Sequence, residues 1–277
     1  MRRARQRYVL SPDRLEGVRQ GATIRLPEEA AHHVARVVRL REGELVAVTD
    51  GSGRSFLVRL RRVDARAVEG EVLGPEYPEG GGRDPEPHIA VDLAFALLKG
   101  DRSETVLALA TEIGVRRFRP FFSARTVVRP EGDARRRREE RFRAVVREAV
   151  ELSGRTHLPP VEPIAPFGDV LTVLPSYAAA FVPYELAAAD RGGVYPHLLE
   201  AYRSLAPAAS RGPILLVIGP EGGFTPEEAE TAQDAGAHLV SLGPRILRAE
   251  TAAVFAVSLL LGEETSLSSA DNSEGVS

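Results

Sequence analysis

The sequence predicts a two-part α/β protein: a small β-rich unit followed by a domain built on a parallel sheet. Three observations carry this. Strand and helix patterns alternate between residues 88 and 261. A stretch dense in Pro, Gly and acids, "GPEYPEGGGRDPEP" at 74–87, separates that region from a strand-rich start. The segment "LLVIGPEGGFTPEEAE" at 215–230 joins an apolar run to a helix start through a glycine-rich loop, the place where α/β proteins tend to bind ligands.

In the first part, "PEEAAHHVARVVRL" (27–40) spaces Ala30, Val34, Val37 and Val38 as one face of a helix, with Pro27, Glu28 and Glu29 at its start. "ELVAVTD" (44–50) and "SFLVRL" (55–60) flank "GSG" (51–53) and read as a hairpin; "AVEGEVL" (67–73) adds a strand. Beyond the linker, strand 88–97 leads to helix 103–115, extended segment 116–123 and a long helix over 134–154 that stops at Gly154. Strand 177–182, strand 214–218, helix 226–236, strand 238–242 and helix 250–261 follow. The expected divisions are 1–74, linker 75–87, domain 88–262, and a polar, acidic tail 263–277 expected to be disordered.

Composition sets outer limits. There is no cysteine, hence no disulfide framework and no thiolate metal site. No apolar run approaches membrane-spanning length, and the basic start "MRRARQRYVL" lacks the apolar core of a signal peptide, so a cytoplasmic protein is expected. Net charge is −3, but residues 1–70 carry 15 Arg against 9 acids and residues 116–147 carry 12 Arg against 4. Two basic blocks on an acidic chain suggest a surface for a polyanion. Lys99 is the only lysine, so a general preference for arginine is the competing explanation.

The loop "IGPEGG" is neither a phosphate-binding P-loop nor a dinucleotide fingerprint, because the required Lys and glycine spacing are missing. Its glycines let backbone approach a flat ligand closely. A second strand–loop–helix, "SLGPRILRAETAAVFAVSLL" (241–260), carries Arg245 and Arg248 just before a helix. If strands 214–218 and 238–242 are neighbours, the two loops lie side by side at one sheet edge.

Together these two motifs resemble the C-terminal signature of the RsmE family, SPOUT-superfamily methyltransferases acting on N3 of one uridine in bacterial 16S rRNA. The likeness extends to "AHHVARVVRLREGE" (31–44), "LLKGDRSETVLALATEIGV" (97–115) and "EAVELSGR" (148–155). At Leu109, Ala124 and Leu152 the family usually has Lys, an acid and Gln. The resemblance implies an N-terminal PUA-like β-barrel that helps hold RNA, then a SPOUT α/β domain with a C-terminal trefoil knot. It implies S-adenosylmethionine as co-substrate, the small ribosomal subunit as partner, a homodimer, and no metal. The cofactor would be held by three loops: Pro183 and Glu185; Ile218, Gly219, Pro220, Glu221, Gly222 and Gly223; Leu242, Gly243, Arg245, Ile246, Leu247 and Ala249. Arg155 and Arg248 are the candidates to stabilise the anionic uracil or a flanking phosphate. Glu151 or Glu250 could accept the N3 proton or fix an arginine. A ribosome-binding factor without activity, or a related enzyme with another RNA target, remains the alternative.

Overall fold

The computed structural model describes residues 4, 6–77, 85–184, 195–209 and 212–271. Two compact units emerge: residues 1–86 with 147–158, and residues 87–146 with 159–277.

The first unit holds a five-stranded sheet in the order β1-β3-β4-β5-β2, from β1 (Arg7–Val9), β2 (Thr23–Arg25), β3 (Leu45–Thr49), β4 (Ser55–Val63) and β5 (Val68–Pro75). Only the β1–β3 pair is parallel. β5 alternates buried and half-buried positions, the pattern of a strand with one face on the core. That core contains Tyr8, Ile24, Val34, Val46, Val48, Val58, Leu60, Val68 and Val72. At Gly70 a Cβ would stand 2.4 Å from Val58 Cγ1, so only glycine lets β5 lie this close to β4. The hairpin turn is fixed by Asp50, whose carboxylate accepts from Ser52 N at 2.9 Å and Ser52 Oγ at 2.7 Å.

The helix expected over 27–40 takes a different form. It starts as α1 (Glu28–His32), widens into a π-helix over His33–Val38, and ends at Arg39 with φ 56°. The wider turn breaks the 3.6-residue register. Val34 stays fully buried while Val37, expected on the same apolar face, is 62% exposed.

The second unit is a six-stranded, wholly parallel sheet in the order β11-β9-β10-β6-β7-β8. Its strands are β6 (Val91–Ala96), β7 (Arg117–Phe122), β8 (Ala165–Pro166), β9 (Ala179–Pro183), β10 (Ile214–Ile218) and β11 (His238–Val240). β6 and β10 are buried at every residue, as parallel strands covered on both faces should be. The helices are α2 (Arg102–Ile113), α3 (Gly132–Ser153), α4 (Phe167–Thr172), α5 (Leu198–Ala209), α6 (Pro226–Asp234) and α7 (Ala249–Asp271). α2 packs on α7. α3 crosses the division between the units after Val146.

Two expectations change here. β10 and β11 are not neighbours, because β9 pairs with both and lies between them. The tail expected to be disordered from 263 is helical as far as Asp271, as the continuation of α7; residues 272–277 lie outside the described residues.

Asp92, fully buried in the otherwise apolar β6, anchors the amino edge of the sheet. Arg116 grips it through two bonds, 2.7 and 2.9 Å, and Tyr177 Oη donates at 2.6 Å. Arg119 donates to Tyr177 Oη at 2.9 Å, and Arg117 pairs with Glu162. The basic run 116–119 therefore serves the sheet itself.

Phe121, Phe167 and Phe224 form an aromatic cluster on one face, with centroids 4.9–6.2 Å apart. Phe121→Ala should cost about 3–5 kcal/mol, since a fully buried ring leaves a cavity that close-packed neighbours refill poorly. Urea unfolding checks this; a loss below about 1 kcal/mol would contradict the cluster's role in the core.

Candidate functional site

Six parallel strands send all their carboxyl ends to one edge. The chain leaves β6 toward β7, on one side, and leaves β10 toward β11, on the other. Adjacent strands whose connections diverge open a crevice at their carboxyl ends. Three loops there come from distant parts of the sequence: 97–101 after β6, 219–225 after β10, and 241–248 after β11.

The glycine loop is held on two sides by its own protein. On one side Lys99 N donates to Glu221 Oε1 at 2.9 Å, and Arg102 Nη1 lies 3.5 Å from the same oxygen. On the other side Arg125 Nη1 donates to Gly222 O at 2.9 Å. A Cβ on Gly219 would stand 3.0 Å from the Phe224 ring, and one on Gly222 would stand 3.2 Å from Arg125 Cβ. Gly223 has φ +67°, a conformation that favours glycine. The loop ends in a capping box: Glu228 N donates to Thr225 Oγ1 at 3.2 Å and Thr225 N to Glu228 Oε2 at 3.0 Å. The second oxygen of Glu228 accepts from Ala124 N at 2.7 Å, tying the loop after β7 to the same point.

The 241–248 loop is built differently. Its root is fixed: Ser241 N donates to Pro196 O and Ser241 O accepts from Leu198 N, both at 3.0 Å, while Gly243 N donates to Ser241 Oγ at 3.0 Å. Gly243 has φ +103°. Beyond it, the backbone N–H groups of Arg245, Ile246 and Leu247 donate no hydrogen bond among the described residues. Ile246 is 85% exposed. Arg245 and Arg248 are exposed and make no ion pair among the described residues. Ala249 is buried at the start of α7. Glu250 Oε1 lies 3.9 Å from Arg102 Nε, and its Oε2 is buried without a hydrogen-bond partner.

Of the third expected loop, Pro183 ends β9 opposite Val240, and Tyr184 N donates to Val240 O at 3.0 Å. Glu185 lies outside the described residues. The ends of β10, β9 and β11 thus stand in succession along one edge, with β9 between the two loops expected to adjoin directly.

Arg155 and Glu151 belong to the first unit, and both have internal partners there. Arg155 is buried and donates to Glu86 Oε2 from Nε at 3.0 Å and Nη2 at 2.7 Å. The other oxygen of Glu86 accepts from Thr156 N at 2.8 Å and His157 N at 3.0 Å. Burial pushes the Glu86 carboxyl up, but hydrogen bonds from His157 and Arg155, with the Arg155 charge, outweigh it and hold the group well below the usual carboxylate range. Glu151 accepts from Val9 N at 3.0 Å, and burial, only partly offset by that bond, raises its carboxyl. Both side chains are thus engaged within the first unit, Arg155 by Glu86 and Glu151 by Val9 N.

Sequence reading did not single out Arg102, Arg125 or Glu86. Glu86 sits in the Pro/Gly-rich stretch that reads as linker, and nothing local distinguishes it there. Arg125 and Arg102 act on loops more than 90 residues away, which no window on the chain reveals.

Comparison with known proteins finds relatives over most of the chain. Residues 85–261 match a family model described as an RNA methyltransferase domain, and residues 26–73 match an RNA methyltransferase PUA domain. The chain is similar to ribosomal RNA small subunit methyltransferase E of Bacillus subtilis, 29% identical over 92% of this chain and 95% of that protein. It is similar to the protein of the same name from Synechocystis, 33% identical over 91% and 76%. Among solved structures, the Neisseria gonorrhoeae ribosomal RNA small subunit methyltransferase E bound to S-adenosyl methionine superposes with TM-score 0.76 at 29% identity, covering 93% of this chain and 97% of that one. A Legionella pneumophila methyltransferase in complex with the same cofactor gives 0.75 at 25% identity, covering 95% and 98%.

Because the folded-state pKa of Glu86 lies below its ordinary value of 4.5, its contribution to stability is complete above that pH and is lost as pH falls through the acid range. Wild-type protein should lose stability more steeply below about pH 4.5 than Glu86→Gln, which cannot titrate. Denaturation midpoints across pH 3–6 measure the difference (an order-of-magnitude window); parallel curves would remove Glu86 from this role.

Proposed function

The chain belongs to the ribosomal RNA small subunit methyltransferase E family, and from that premise we propose that it methylates N3 of one uridine in 16S rRNA with S-adenosylmethionine as donor. The observation that carries this reading is the succession of strand ends at one edge, with a close-packed glycine loop and a loop of unpaired backbone donors. Such donors suit a flat heterocycle, and glycines let backbone reach its faces. When bound, the cofactor would supply a methyl group on a sulfonium, whose sulfur departs as a neutral thioether.

The residues here supply position, charge and proton acceptance. Ile218 to Gly223 and Leu242 to Ala249 hold the cofactor, with Pro183 beside them at the end of β9. Uridine N3 carries a proton and lies on the pairing edge, so the base must be unpaired and deprotonated. Glu250 suits the acceptor role: one of its oxygens is buried with no donor. Arg248, exposed and unpaired, suits the anionic uracil or a flanking phosphate. Arg155 and Glu151 support the reading less directly, as the frame of the first unit.

The finer architecture belongs to the same proposal. Within the first unit, 1–74 closes as a PUA-like barrel that holds RNA; 75–87 leads out of it, and 88–262, less the 147–158 segment that belongs to the first unit, forms the SPOUT domain with a C-terminal trefoil knot. The strand order β9-β10 with β11 outside β9 supports a knotted path, because the chain must pass over β9 to reach it. The working form is a homodimer; exposed Ile246 and Val127 support an apolar contact near the loops. Among the described residues no helix is long and apolar enough to cross a membrane, and the proposed substrate places the enzyme with cytoplasmic ribosomes.

Purified protein, labelled S-adenosylmethionine and small ribosomal subunits lacking the modification should yield 3-methyluridine on nucleoside analysis. Arg248→Ala should lower kcat/KM by about a hundredfold, the scale of losing one charge-stabilising donor. A different methylated nucleoside would move the target; bound cofactor with no product would favour a ribosome-binding factor without activity.

A further inference from the structure

Lys99 is the one lysine in a chain whose other cationic side chains are all arginine. The two are not equivalent: lysine offers a compact, rotatable point charge, arginine a planar fork. Apart from His157 beside Glu86, arginine supplies the cation of every ion pair among the described residues, so a lysine at one position points to something other than scaffolding.

Its place is the loop after β6, beside the glycine loop. The backbone there is held from every side. Leu98 N donates to buried Ser103 Oγ at 2.9 Å. Arg138 Nη2 donates to Leu98 O at 3.1 Å and lies 3.5 Å from Gly100 O. Lys99 N donates to Glu221 Oε1, and Gly100 turns the chain with φ +64°. Yet the Lys99 side chain is exposed, and its ammonium has no hydrogen bond or ion pair among the described residues. Glu221, the carboxylate bonded to this loop, is engaged by the lysine's own backbone and by Arg102. A fixed backbone carrying a free charge is the arrangement of a residue kept for a ligand.

We propose that Lys99 is a substrate-contacting residue whose ammonium meets an anionic oxygen of the RNA at this crevice. The oxygen is either a phosphate oxygen or the uracil carbonyl oxygen that gathers charge as N3 loses its proton. The inference rests on the methyltransferase reading.

The test compares full-length wild type, Lys99→Met and Lys99→Arg in methyl transfer to unmodified small subunits, with kcat and KM measured at several salt concentrations. Lys99→Met should lower kcat/KM by about ten- to a hundredfold. Cofactor affinity and Tm should stay at wild-type values, because the side chain supports no other group. A phosphate contact appears as a raised KM, a salt slope smaller by about one, and rescue by Lys99→Arg. A uracil contact appears as a lowered kcat, little salt dependence and no rescue. Wild-type kcat and KM in Lys99→Met would overturn the proposal. If wild type itself transfers no methyl group, the enzymatic reading falls. RNA binding then decides: a salt slope smaller by about one in Lys99→Met supports the contact, and equal slopes overturn it.

Discussion

The constraint on which the second unit depends is the common direction of its six strands. A parallel sheet cannot be closed by tight hairpins; each strand returns through a crossover, and both faces are covered. The two edges of the sheet then acquire different duties. At the amino edge, Asp92, Arg116, Arg117, Arg119, Tyr177 and Glu162 are bound to one another. At the carboxyl edge, Arg245, Arg248, one oxygen of Glu250 and three backbone donors have no internal partner among the described residues. Polar groups that satisfy each other stabilise the fold; those left open are available for chemistry.

The same division explains the basic block at 116–147. Read as charge, it suggests a polyanion surface. In the folded chain Arg116, Arg117 and Arg119 serve the amino edge, Arg125 and Arg129 hold loop carbonyls, and Arg135 and Arg138 donate to backbone oxygens of 164 and 98. Of its twelve arginines, only Arg137 makes no hydrogen bond or ion pair among the described residues. A sequence count of charge overstates what is free to meet RNA, because guanidinium groups also make good caps for unpaired carbonyls.

Local signals were readable in the sequence and non-local ones were not. The apolar run Ile214–Ile218 and the capping pair Thr225 and Glu228 stand in the structure where their residue types place them. The three-residue strands β1 and β2 and the two-residue β8 are too short to show a period. Strand order was invisible, since nothing in β10 or β11 states that β9 will come between them. The π-helix at His33–Val38 was misread because its apolar residues imitate a 3.6-residue repeat. The bond between Arg155 and Glu86 was invisible because the two lie 69 residues apart and Glu86 sits in a stretch without regular pattern. The glycine loop after β10 was legible from its residue types; the groups that hold it were not.

Those holding groups differ between the two loops, and the difference has an energetic meaning. The 219–225 loop is fixed before any ligand arrives, by Lys99 N, Arg125, the Phe224 ring and the Glu228 capping box. Binding against it incurs little ordering cost. The 241–248 loop is fixed only at its root, by Ser241 and Gly243. Its remaining backbone donors are unpaired, and Ile246 stands in solvent. A ligand or a second protein surface placed there would meet three N–H groups that no carbonyl of the protein occupies. The first loop is thus held on every side by the protein itself, and the second is held at its root alone.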